Sequence, residues 1–175
     1  MMKHFGPVIF LMSASLLLGF QFSSTRVDAL EVQTLSLCAA GEKVVFSCPL
    51  KRSDKVVSLC ASTKLTKTEG YLQYRFGIPG KVELEYPKER TPAANAFHYS
   101  HYFRAQVDLT EISFSIDGYG YKVFNNFNGE EKPAISDQGV TVQPPENKKE
   151  FNYSCRTRAK MDFGDLSDVL PNESQ

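Results

Sequence analysis

The chain has no C-x-x-C pair, which removes the usual signature of a zinc site. It has no G-x-S-x-G, no H-E-x-x-H and no glycine loop placed to cradle phosphate. Basic and acidic side chains number 20 each, with no polybasic block or stripe. That argues against nucleic acid or anionic lipid as the main partner. No internal repeat at solenoid spacing is present. The one long apolar run, Val8 to Phe20, is shorter than the roughly 20 residues a spanning helix needs.

That run follows Lys3 and precedes the small, polar stretch Ser23 to Ala29, ending Val27-Asp28-Ala29. The pattern predicts a signal peptide over residues 1–29, cleaved after Ala29. The expected mature chain, 146 residues from Leu30, is long enough for one domain with a core of its own. It carries 18 basic and 19 acidic side chains. The expected location is secreted or periplasmic, with no membrane insertion after cleavage. Cys38, Cys48, Cys60 and Cys155 all lie beyond the cleavage point, and an even count in an exported chain predicts two disulfides. Three connectivities are possible. The stretch "CPLKRSDKVVSLC" resembles two strands around the polar turn Lys51 to Lys55. It favours Cys48–Cys60, leaving Cys38–Cys155 to tie the start of the domain to its last strand.

From Glu42 to Arg158 the pattern is β. "YLQYRFG" and "KVELEYP" alternate apolar and polar residues around Ile78-Pro79-Gly80. A register centred on Pro79 sets Tyr74 opposite Leu84 and Arg75 opposite Glu83. "AFHYSHYFRAQVDL" reads as one extended run with Phe97, Tyr99, His101, Phe103, Ala105 and Val107 on the core face. In "EISFSIDGYGYKVFNNF", Asp117-Gly118 suits a two-residue type I′ turn. It pairs Ile116 with Tyr119, Phe114 with Tyr121 and Ile112 with Val123. The other face then carries Ser113 with Lys122 and Ser115 with Gly120. "NNFNGEEKPAISDQG" reads as a polar loop, and "VTVQP" and "FNYSCRTR" as the last strands. The expected architecture is all-β: a single antiparallel β-sandwich or small β-barrel of about eight strands over residues 30–158. Residues 159–175 are expected to form a polar C-terminal tail with one short helical turn near Leu166 to Leu170.

No constellation for catalysis assembles. His98 and His101, at i,i+3 on a strand, point to opposite faces, and His101 is expected to be buried. Glu83 and Glu85 share a face but sit across from Arg75 and Gln73. Asp162, Asp165 and Asp168 lack the calcium-loop pattern. The expectation is a non-enzyme without cofactor or metal.

Asp117-Gly118-Tyr119-Gly120-Tyr121 resembles the S-G-x-x-Y motif of the bacterial periplasmic and membrane-bound lysozyme inhibitors. Gly118 and Tyr121 match its glycine and tyrosine, and Asp117 stands where the motif has serine. The resemblance implies a small exported β-protein that inserts a loop into the lysozyme cleft. It implies partner-binding roles for Ser115, Asp117, Gly118, Tyr119, Tyr121 and Lys122, with Ser115 as a substitute hydroxyl donor and Lys122 as a cation for an acidic cleft. The alternative function is a non-inhibitory exported binding module for another protein. In that case Tyr119 and Tyr121 only fill the sheet face opposite Ile116 and Phe114.

Overall fold

The computed structural model describes residues 35–173, apart from the Asn147 side chain. The expected signal segment and its cleavage point lie outside the described residues. Ten strands form two antiparallel five-stranded sheets. They are β1 (Lys43–Pro49), β2 (Val56–Ala61), β3 (Leu72–Ile78), β4 (Lys81–Tyr86), β5 (His98–Arg104), β6 (Val107–Ile116), β7 (Tyr119–Asn128), β8 (Ile135–Gln143), β9 (Phe151–Ser154) and β10 (Lys160–Met161). The first sheet runs β10-β1-β2-β3-β4 and the second β5-β6-β7-β8-β9. The result is a sandwich rather than a closed barrel, with one helical turn, α1 (Leu166–Val169), near the C-terminus as expected.

Alternation along the strands builds the core between the sheets. Phe46, Leu59 and Tyr74 face inward in one row of the first sheet, and Ile112 and Val123 in one row of the second. Phe114 is the hub of an aromatic cluster. Its ring centroid lies 4.9 Å from Tyr74, 5.1 Å from Phe97, 5.1 Å from Tyr121 and 5.4 Å from Tyr86. Each such contact contributes about 0.5–1.5 kcal/mol beyond burial of its area.

The outer face of the first sheet is also covered. The segment 35–42 lies across it, with Leu37 N donating to Ser58 Oγ at 3.0 Å and Ser47 Oγ donating to the Leu35 carbonyl at 2.6 Å. Arg75 locks the cover. Its guanidinium donates to both oxygens of Glu42 (2.5 and 2.9 Å), to Gln73 Oε1, to Glu85 Oε1 and to the Leu37 carbonyl. The side chains of Arg75 and Glu42 are 6% and 4% exposed, so each charge depends on the other for compensation. Burial alone would raise the Glu42 carboxyl. Hydrogen bonds from Arg75, the Ala39 N–H and the Tyr71 hydroxyl outweigh it and hold the group below its ordinary value.

Two disulfides are present, but as Cys38–Cys60 and Cys48–Cys155, correcting the expected pairing. Strand alternation is the reason. Cys48 pairs with Val57 in an inward row, whereas Cys60 pairs with Gln73 in an outward row beneath the segment 35–42. Two cysteines on opposite faces of one hairpin cannot join. Cys60 therefore fastens the outer cover and Cys48 bridges the sheets.

Other expectations also change. Phe76 pairs with Leu84 and Gly77 with Val82, so Glu83 is an extra residue in β4. The bulge puts Tyr74 opposite Tyr86 and Arg75 opposite Glu85, and Glu83 instead meets Lys55 at 2.6 Å. A Cβ at Gly77 would lie 2.4 Å from the Lys81 carbonyl, so the tight crossing requires glycine. The run 96–109 is not one strand: it folds back at Ala105-Gln106, with Gln106 at φ 65°. Tyr99, His101 and Phe103 share one face of β5, but of the three Tyr99 alone is partly buried: Phe103 is 72% exposed, and His101 is exposed and bonded to Asp108 at 2.9 Å. The polar loop after β7 shrinks to residues 129–134, because Asn125–Asn128 pair with Ile135–Gln138. The segment after Arg158 belongs to the domain. Ala159, Leu166, Val169 and Leu170 are buried in the core, β10 pairs with β1, and Asn172 bridges to Tyr99.

Candidate functional site: the β6–β7 hairpin and the clefts at its base

β6 and β7 pair without interruption from Val107↔Asn128 to Ile116↔Tyr119, in the register that Asp117-Gly118 dictates. Asp117 and Gly118 have φ of 50° and 81°, the two positive values that a type I′ turn requires. Asp117, Gly118, Tyr119 and Ser115 are all exposed at this tip. A Cβ on Gly118 would come to 3.9 Å from the Pro145 side chain, so one flank of the turn lies beside the β8–β9 connection.

The six expected site residues do not behave alike. Ser115, Asp117, Gly118 and Tyr119 form one exposed group. Tyr121 is half-buried, stacked on Phe114 with an interplanar angle of 9° and tilted on Tyr74 at 5.8 Å. Burial raises its phenol above the ordinary value, with smaller contributions from Tyr119, Asp117 and Tyr153, so it stays a protonated donor at neutral pH. Lys122 is set back from the tip, in a row with Ser113 and Thr141, and its ammonium meets Glu111 at 3.1 Å.

Two clefts flank Tyr121. One, of about 600 Å³, has Phe114 and Tyr121 in its wall and Ser113, Ser115 and Lys122 around it. Gly120 also lines it, and a side chain there would meet Gln143 at 3.6 Å. The other, of about 360 Å³, opens between the sheets and is lined by aromatic and aliphatic side chains of both.

The remaining candidates do not converge. His98 and His101 fall on opposite faces of β5. Glu83 and Glu85 are ion-paired with Lys55 and Arg75. Asp162 and Asp165 bind Lys43 at 3.0 and 3.2 Å. Cys38, Cys60 and Glu42 come within ligand distance of one another, but the sulfurs are joined and the carboxylate is held by Arg75. Sequence reasoning missed the Glu42–Arg75 cluster and the intersheet cleft. The available signal was β3 itself: in "LQYRF" Gln73 and Arg75 alternate with core residues, yet both are buried, as a sheet covered on both faces demands.

Comparisons of the chain with protein-family models, curated proteins and solved structures find no match.

Proposed function

We propose that the protein is an exported inhibitor that inserts the Asp117-Gly118 hairpin tip into the cleft of another protein, and that the target is a lysozyme. Two disulfides fit an oxidising, extracytoplasmic compartment. The observation that carries the reading is the contrast within one hairpin. Its tip is exposed, while two residues further along Tyr121 is clamped between the aromatic rings of the core. A loop held in this way loses little conformational freedom on binding, which favours tight association.

Asp117 decides the electrostatics. An ionised aspartate at the tip repels an acidic cleft, and the exposed Ser115 hydroxyl is the available donor. Lys122 is set back and already paired with Glu111, so it adds little to the contact at the tip.

The test is inhibition of lysozymes of several types by the mature protein and by Asp117→Ser. The proposal expects inhibition of at least one lysozyme, with tighter inhibition by Asp117→Ser, which removes a charge and supplies a donor. If the wild type inhibits none and the variant gains nothing, the inhibitor reading fails. The chain is then a non-inhibitory binding module whose hairpin only packs.

A further inference from the structure

The intersheet cleft is a second, separate feature. Tyr74, Phe76 and Leu84 of the first sheet form one wall, and Tyr121, Val140 and Val142 of the second form the other. Its volume of about 360 Å³ falls in the range of small-ligand sites, about 300–1,000 Å³. Tyr153, from the edge strand β9, stands at its side and is 46% exposed.

Two observations give the cleft polarity. Tyr74 is 2% exposed, yet its hydroxyl has no hydrogen-bond partner among the described residues. The oxygen is not enclosed but opens on the cleft, close enough to Tyr121 and Tyr153 to interact with both electrostatically. Three phenolic side chains therefore converge on one apolar space. At the rim, Lys51 and Arg52 of the β1–β2 loop are exposed, and their side chains form no ion pair among the described residues. Lys55, the other cation of the same loop, is paired with Glu83. Arg52 also has φ of 56°, an uncommon conformation for a residue with a side chain.

We propose that this cleft binds a small organic anion with an apolar body. The body lies between the two sheets, and the acidic head meets Lys51, Arg52 and a phenolic hydroxyl. Charge complementarity selects the occupant: the walls supply contact area, the donors inside are neutral phenols, and the free charges at the rim are positive. The site stands independently of the hairpin tip.

The experiment uses the mature protein with its disulfides intact. Anilinonaphthalene sulfonate is titrated in by fluorescence, then displaced by decanoate, decanol or decyltrimethylammonium. Decanoate should displace the probe at least about tenfold better than decanol, the scale of one charge-assisted hydrogen bond. Decyltrimethylammonium should be the weakest. Lys51→Gln with Arg52→Gln, both on an exposed loop, should bring decanoate down to the level of decanol. The tyrosine ring resonances locate the site: decanoate should shift those of Tyr74, Tyr121 and Tyr153 in the wild type. Equal displacement by all three amphiphiles, no binding of the probe, or shifts away from these tyrosines would overturn the proposal. Asp117→Ser should leave decanoate binding unchanged, so this result and the lysozyme result can fail separately.

Discussion

The two sheets are built from similar residues and used differently. In the first, β2 is buried along its whole length and β3 nearly so, because the second sheet covers one face and the segment 35–42 the other. In the second, β6 alternates over Thr110 to Ser115, β7 is buried at Val123 and Phe124 alone, and the edge strands β5 and β9 are mostly exposed. Tyr119, Phe151 and Tyr153 all stay in solvent on the second sheet, against Val82 alone among the large apolar side chains of first-sheet strands in the described residues. A sheet covered on both faces is a frame. A sheet with long strands and an exposed hairpin can present a binding surface. Stability should therefore be concentrated in the first sheet and its fastenings, and recognition in the second.

The strongest way to break that division is to cut the bond joining the sheets. Cys48→Ala with Cys155→Ala opens a loop of 107 residues, which costs about 5 kcal/mol in the chain-entropy model. Cys38→Ala with Cys60→Ala opens one of 22, costing about 3 kcal/mol. Denaturant titration of both variants should show that order. Arg75→Met removes the partner of a buried carboxylate and should cost roughly 3–5 kcal/mol, measured in the same way. An effect of Arg75→Met as small as that of a surface change would mean that the outer cover contributes nothing to the frame.

Acid sharpens the comparison. The Glu42 carboxyl is held below its ordinary value in the folded state, so its contribution is complete above the unfolded value and disappears as pH falls through the lowered folded one. Stability should drop with acidification in the wild type and drop less in Glu42→Gln. Parallel curves for the two proteins would remove Glu42 from the explanation. The smallest effect belongs to the second sheet: Lys122→Ala breaks an exposed pair with Glu111 and should change stability by less than about 1 kcal/mol.

How far the sequence disclosed this arrangement differs by element. The β6–β7 register was legible residue by residue, because Asp-Gly demands one turn geometry and alternation fixes the rest. The β3–β4 register was not: a bulge at Glu83 shifts the pairing, and Gly77 gave only a generic sign of it. Ala105-Gln106 carries no turn signature, so two strands looked like one. The disulfides went astray because "CPLKRSDKVVSLC" reveals a hairpin but not which of its residues share a face. The C-terminal segment looked polar because its few apolar residues are widely spaced, although Leu166, Val169 and Leu170 all reach the core. At the candidate site the tip was readable. The set-back position of Lys122, its Glu111 partner and the intersheet cleft arise from contacts between distant strands, which no local pattern encodes.

The most direct measurement is a residue-resolved map of the complex. The isotopically labelled protein, produced over residues 30–175, is titrated with lysozymes of several types, and its backbone amide shifts are followed. The expected result is a lysozyme that perturbs Ser115 to Tyr119 most strongly, with the amides of β1 and β2 unmoved. A binding lysozyme that perturbs another surface, or no lysozyme that perturbs the tip, would contradict the account.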